Sequence, residues 1–287
     1  MKKTLAFRFD VDSVRCTEVG IPRLVEAADR CGVRFTFFVN MGYSFNWGHN
    51  LRHFAAKKLS RSKRSGPTPA RGPSLPTRSK LGWGGILKTM FLNPQLGERY
   101  RRVFDGLHDS GHELALHGGT DHVIWQRSLG GLSEQQVRDL LHPAFERFAA
   151  RYGEPRGFAS PGFVHNDIVL RLLDEYGFAY ASDMPGDEPF RPRNGSEYEH
   201  FQVPVNVMGV DNVPLVEQSL ALGRTQAEIV EAAVEMITDR DFALMYGHPC
   251  VEGVHAGILE SVIGRVRDTH DVVTVEEYLE RWKARDG

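Results

Sequence analysis

Cysteine is scarce in this 287-residue chain. Cys16, Cys31 and Cys250 show no Cys-x-x-Cys spacing, which excludes a disulfide framework or a structural zinc knot and fits a reducing compartment. Long apolar runs are missing as well. No window reaches the roughly eighteen uncharged apolar residues of a transmembrane helix, so any membrane contact is expected to be peripheral. The opening MKKTLAFRFD carries the lysines of a secretory n-region, but Arg8 and Asp10 interrupt the apolar stretch, so secretion is not expected. No repeat at solenoid spacing is present. What remains is ordinary: 41% hydrophobic and 25% charged residues suit a globular protein with a full core. One domain over residues 1–287 is the expectation.

Acidic residues are absent from one long stretch. Between Leu51 and Leu92 there are ten Lys and Arg and no Asp or Glu, so with a total of −2 the remainder carries −12. Such a basic island seeks anionic partners. Within it, Pro67, Pro69, Pro73 and Pro76 and several serines predict an irregular segment over Ser60–Lys80. Trp47, Trp83, Leu87, Phe91 and Leu92 flank that segment, and basic residues among apolar ones suit a membrane surface. Nucleic acid is not the expected partner, because the body is acidic and no nucleic-acid motif occurs.

Elsewhere, strands and helices alternate. Leu5–Val11 reads as a strand, followed by a helix with Pro22 in its first turn and Gly32 at its end. Val33–Val39 and His112–His117 read as strands, and Glu98–Ser110 as a helix between the second and third strands. Ser133 with Gln136, Thr225 with Glu228 and Thr274 with Glu277 are capping boxes, while Asn166 caps a helix that Gly177 closes. Further strands are expected at Gly157–Ala159, Phe178–Ser182, His200–Val205, Asp241–Tyr246 and Asp271–Val273. This rhythm predicts an α/β fold of mostly parallel strands closed like a barrel.

Three strand ends carry chemistry. In FRFDVD, Asp10 and Asp12 lie two apart on one face, so their carboxylates converge and call for a shared cation or proton, unless one caps the next helix and the other is solvated. In HGGTDH, His117, Asp121 and His122 offer imidazole and carboxylate ligands for a zinc-like cation. Histidines five apart on a helix stand about 140° apart, so they share an ion only from an irregular turn, which Gly118 and Gly119 allow. In ALMYGHPCVEG, an apolar strand delivers His248 to its end, placed either to exchange protons or to sit in a cap or core. All three ends fall on the rim where such barrels keep active sites.

These residues resemble the polysaccharide deacetylase (NodB-homology) superfamily of metal-dependent carbohydrate N-deacylases. The strings FDVDSVRCTEVGIPRLVE, DHVIWQRS, SDMPGDEPFRP and HPCVEG are similar to its ArnD-type branch, the deformylases of undecaprenyl-phosphate-linked formamido-arabinose that serve lipid A modification. The resemblance implies a distorted (β/α)7 barrel with a long insertion, here at about 46–92. It also implies Asp10 as general base, Asp12, His117 and His122 as ligands of a divalent ion, with zinc the expected one, and His248 as general acid. Two departures stand out. Asp121 occupies the usual position of the second histidine and is the alternative ligand to His122; and Ala159 stands where the family's third motif has an arginine. Arg15 or Arg191 is the expected replacement for that arginine, unless its role is lost. Arg15, Pro161, Gly162, Asp183 and Glu252 are expected around the substrate, Asp183 and Glu252 either at sugar hydroxyls or as support behind the site.

The resulting expectation is a cytoplasmic hydrolase, peripheral on the inner leaflet, that removes a formyl or acetyl group from a lipid-linked amino sugar. The insertion is expected to dock on the anionic membrane without joining the chemistry. A deacetylase of another glycan, a cyclic-amide hydrolase of the same fold, a metal-dependent glycosyltransferase and a non-catalytic lipid- or glycan-binding module are the competing readings.

Overall fold

The computed structural model describes residues 2–44 and 72–286. Its parallel strands are β1 (Lys3–Val11), β2 (Thr36–Val39), β3 (Glu113–His117), β4 (Gly157–Ala159) and β5 (Tyr180–Ala181), then, past a small antiparallel hairpin β6 (Arg193–Asn194) and β7 (Ser196–Glu197), β8 (Phe201–Gln202), β9 (Phe242–Gly247) and β10 (His270–Val273). The sheet runs β10-β1-β2-β3-β4-β5-β8, with β9 also paired to β1. β8 keeps its bonds to β5 as far as Val203, whose N–H reaches the Ala181 carbonyl. Beyond it the chain crosses to β9, where Asn206 and Val207 donate their N–H groups to the Leu244 carbonyl, and this closes the ring. The expected seven-membered distorted barrel is what forms.

Alternation along β1 sorts its residues between two layers. Leu5, Phe7, Phe9 and Val11 point outward into the helices, joining Phe37, Leu116, Phe158 and Met245. Ala6 points inward with Phe38, Ala115, Ala159, Tyr180, Val203, Leu244 and Tyr246, so the barrel interior is packed. Arg8 and Asp10 share that inward parity, and a charged pair is thereby carried into the barrel. The C-terminal helix Val275–Asp286 closes the amino-terminal end by inserting Val275, Tyr278 and Leu279 into the same inner cluster.

Local signals explain most element boundaries. Gly32 ends the helix Ile21–Cys31 in a left-handed conformation at φ 68°, and the boxes at Ser133 and Thr225 form with both reciprocal bonds. Expected strand two begins late, at Thr36, because the Val33 N–H returns to the Ala28 carbonyl and the Phe35 N–H goes to His112 Nδ1. The expected helix Glu98–Ser110 is two helices, Leu96–Arg99 and Arg101–Asp109, broken at Tyr100. Within the insertion, a helix Thr77–Phe91, kinked at Gly82 where φ is 63°, starts directly after Pro76, so the irregular stretch expected to reach Lys80 stops earlier. Residues 60–71 of that stretch, with the rest of 45–71, lie outside the described residues.

Candidate active site

Strand register brings the sequence-selected residues to one end of the barrel. Arg8 lies opposite Tyr246, Asp10 opposite Phe38 and His117 opposite Ala159, so the residues after β1, β3 and β9 emerge together. They line a cleft of about 640 Å³ that contains Asp10, Asp12, His117, His122, Gly162, Tyr246 and His248.

At its centre is Asp12. Its Oδ1 lies 2.9 Å from His117 Nε2 and 3.3 Å from His122 Nε2, while Oδ2 lies 3.3 Å from His248 Nε2. One potential ligand atom from each of Asp12, His117 and His122 falls within 4.8 Å of the others. Asp12 Oδ1 and both imidazole Nε2 atoms are buried without a hydrogen bond, the state expected of donors arranged for a cation. Burial would raise the Asp12 carboxyl, yet His122 and His117 hold it well below the ordinary range. The residues present fit a divalent ion.

The five-residue spacing of the histidines is solved by the Gly-Gly turn. Gly118 takes φ 63° with the Pro161 ring where a Cβ would stand, and a Cβ on Gly119 would meet the Leu140 carbonyl at 2.7 Å. The turn ends at Asp121, whose carboxylate accepts from Ile124 N–H at 2.9 Å and caps the helix His122–Ser128. Asp121 is thus turned to the helix, and His122, the first helical residue, faces Asp12.

Asp10 receives an arginine, but neither of those expected. Arg8 donates from Nε and Nη2 to both Asp10 oxygens at 2.8 Å, a bidentate fork, and from Nη1 to the Ser182 carbonyl. Its guanidinium is fully buried and lies 4.8 Å from the Phe163 ring centroid, 4.9 Å from Phe38 and 5.5 Å from Tyr246. Arg15 instead reaches the Ser79 carbonyl at 3.3 Å, and Arg191 stacks on Phe201. The signal for Arg8 was present in FRFDVD as a charge of inward parity in an apolar strand.

Asp183 and Glu252, expected at sugar hydroxyls or as support behind the site, lie behind it and do not line the cleft. Asp183 is buried, accepts from Ser160 N–H at 2.6 Å and is raised by burial against the pull of Arg8. Glu252 accepts from His248 N–H at 2.7 Å, and burial pushes its carboxyl up to about 8. Burial removes both from reach of sugar hydroxyls. Pro161 packs under Gly118, and Gly162 lines the cleft.

His248 stands between carboxylates. Its Nδ1 is 3.7 Å from Oε2 of Glu217, a buried residue that no sequence motif marked, and Glu217 Oε1 is 3.0 Å from Lys80 Nζ. Burial alone would lower the His248 imidazole, but Tyr246, Asp12 and Glu217 carry it well above its ordinary value. Glu217 falls to about 2 because His248 and Lys80 outweigh its burial. Lys80 also lines the cleft, so the basic insertion reaches the chemistry it was expected to leave alone.

No family model matches the chain. Among solved structures it is similar to a protein of Mycobacterium smegmatis described as a polysaccharide deacetylase, at a TM-score of 0.65 and 21% identity over 100% of this chain and 92% of that one. The chain therefore shares the fold of that protein, and its rim carries a cluster of a carboxylate and two histidines. In sequence it is similar to proteins named ArnD. It is 27% identical over 221 residues, 73% of this chain and 67% of the relative, to a Shewanella sediminis protein bearing the name 4-deoxy-4-formamido-L-arabinose-phosphoundecaprenol deformylase ArnD. A Wigglesworthia glossinidia brevipalpis protein of the same name is 26% identical over 200 residues, 69% of this chain and 66% of its own length. The matches span about two thirds of these relatives.

Proposed function

We propose that this chain is a metal-dependent amide hydrolase that removes an N-formyl or N-acetyl group from an amino sugar carried on a polyprenyl phosphate. The observation that carries this reading is the meeting, in one cleft, of an arginine-held Asp10, the Asp12–His117–His122 cluster and a carboxylate-flanked His248. The names of the ArnD relatives supply the substrate class.

Asp12, His117 and His122 would hold the divalent ion, zinc by donor set, which when bound supplies Lewis acidity toward the amide carbonyl and water. Asp10 is the base. The Arg8 fork fixes its carboxylate plane, so the oxygens keep one orientation while accepting a proton from the attacking water. His248 then donates a proton to the departing sugar nitrogen, and C–N cleavage leaves a free amine and formate or acetate. Tyr246 and Phe163 keep Arg8 in a dry cage, which strengthens its hold on Asp10.

The exposed face of the helix Thr77–Phe91 supports peripheral attachment to the inner leaflet of the cytoplasmic membrane. Trp83, Leu87, Met90 and Phe91 recur at helical spacing, with Trp83 65% and Phe91 78% exposed, and Leu92 extends the patch. Among the described residues, no helix is long and apolar enough to cross a membrane. Two charges expected to face lipid do not: Lys80 pairs with Glu217 and Lys88 with Glu18 at 2.6 Å. The apolar stripe and the basic residues outside the described region, such as Lys57 and Arg64, carry that part of the proposal.

The test is product analysis by mass spectrometry, with the purified protein given polyprenyl-phosphate-linked formamido and acetamido sugars. Release of formate or acetate with a matching free amine is expected. Absence of both in metal-loaded protein, with retained binding of the lipid-linked sugar, would establish the non-catalytic binding module in its place.

A further inference from the structure

We propose that Lys80 is a positioning residue for His248, acting through Glu217, so that the acid is held in place only while the insertion helix is seated on the barrel. This rests on the amide-hydrolase reading and names a part of the site that the insertion supplies.

The geometry is a chain of three charged groups. Glu217 belongs to the helix Leu215–Ala221 and is 1% exposed. A carboxylate so withdrawn from water must be paired, and Lys80 lies at one of its oxygens and the His248 imidazole near the other. Lys80 Nζ takes Oε1 at 3.0 Å, which leaves Oε2 toward His248 Nδ1 at 3.7 Å. On its other side, His248 meets Asp12 Oδ2 at 3.3 Å. Two anions thus flank one imidazole. Without Lys80, Glu217 would keep a buried charge with a single partner and lose the contact that fixes its rotation. The side of the imidazole facing away from Asp12 would then be free to turn.

Lys80 is held there by the docking of its own segment. Ser79 accepts from Arg15, Lys88 donates to both Glu18 oxygens at 2.6 and 2.8 Å, and Gly72 N–H reaches Asp211 Oδ2 at 2.7 Å. Gly82 and Gly85 lie directly on the Arg15 side chain, where a Cβ on Gly82 would stand 2.8 Å from Nη1. Arg15 and Glu18 follow closely on Asp12, so the helix is pinned to the same stretch of chain that presents the cluster. Lys80 precedes the kink at Gly82 and the apolar stripe follows it, so the contacts of Ser79 and Gly72 hold Lys80 at the cleft and those of Lys88 hold the segment that bears the stripe.

The experiment compares wild type, Lys80→Met, Lys80→Arg, Glu217→Gln and the Lys80→Met/Glu217→Gln double variant. Each is assayed on a short-chain water-soluble formamido sugar, with metal content and circular dichroism checked. Lys80→Met is expected to lower kcat roughly tenfold, with KM and metal content near wild type, and Lys80→Arg is expected to recover most of it. Because both residues act in one chain, the double variant should lose no more than Glu217→Gln alone. Lys80→Gln replaces Lys80→Met if the latter does not fold. Wild-type kcat in Lys80→Met, or additive losses in the double variant, would overturn the inference while leaving the hydrolase reading intact. A metal-loaded wild type with no turnover would overturn both.

Discussion

Glu113 at the amino-terminal end of the barrel and Asp12 at the carboxyl end are both carboxylates drawn into a protein interior, and their surroundings differ in kind. Glu113 accepts from the Thr36 and Tyr180 hydroxyls at 2.6 Å each and from Glu276 N–H at 3.1 Å. Its donors are neutral, its lone pairs are used, and burial raises its carboxyl. Asp12 faces three imidazoles and keeps an oxygen without a hydrogen bond. Clefts of similar volume lie at the two ends, about 720 Å³ at the floor and about 640 Å³ at the rim. Size therefore does not locate the chemistry. Saturated neutral donors mark a carboxylate that holds elements together, and converging lone pairs mark one that receives a cation.

The sharpest way to break this comparison is to neutralise both carboxylates. Asp12→Asn is expected to lose the divalent ion and to lower turnover by at least about a hundredfold, while Glu113→Gln keeps both. Elemental analysis beside the kinetic assay checks it, and lost metal in Glu113→Gln would reverse the assignment of the two ends. The same analysis separates the neighbours after the Gly-Gly turn. His122→Ala should release the ion, whereas Asp121→Ala should retain it and lose about 1 kcal/mol of stability with its helix cap.

A second contrast lies within the rim, between the closed pair Arg8–Asp10 and the open cluster at Asp12. Asp10→Asn is expected to cost roughly a hundredfold or more in kcat with the ion still bound. Arg8→Lys keeps the buried charge but loses the two-pronged contact, so a smaller loss, about tenfold in kcat with little change in KM, is expected. Equal kcat for Arg8→Lys and wild type would reduce Arg8 to a structural ion.

The last contrast concerns stability and leaves turnover aside. Glu252 lies at about 8 in the folded state against an ordinary value of 4.5, so the folded protein binds the extra proton. That contribution is complete below pH 4.5 and is lost as pH rises to about 8, at about 1.4 kcal/mol per pH unit. Glu252→Gln removes the slope. Denaturant unfolding at several pH values should show the variant gaining on wild type across this window, and a constant difference would show that Glu252 is already ionised when folded.

Much of this architecture was legible without coordinates. The helix boundaries at Gly32, Ser133, Asn166 and Thr225 come from local capping chemistry, which acts over three or four residues and so survives reading in one dimension. Strand ends blurred where the competing partner was distant. His112 captures the Phe35 N–H from far along the chain, and past Val203 the chain leaves β5 for the Leu244 carbonyl of β9. In the site, Asp10, Asp12, His117, His122 and His248 stood at strand ends that the pattern of apolar residues already marked.

By itself, then, the sequence determined the alternating elements, the inward parity of Arg8, Asp10 and Asp12 along one strand, and the rim on which the histidines emerge, because each depends on local propensity and periodicity. Tertiary structure decided the partners. Strand parity sets Arg8 beside Asp10, but the cage around the pair has its other walls in β2, the Pro161–Phe163 turn and β9, and no local pattern specifies those walls. Glu217 and Lys80 are far apart in sequence and join at His248 only when the insertion folds back on the barrel. Charge partners buried across a barrel are set by register, closure and desolvation, and these exist only once the chain has packed.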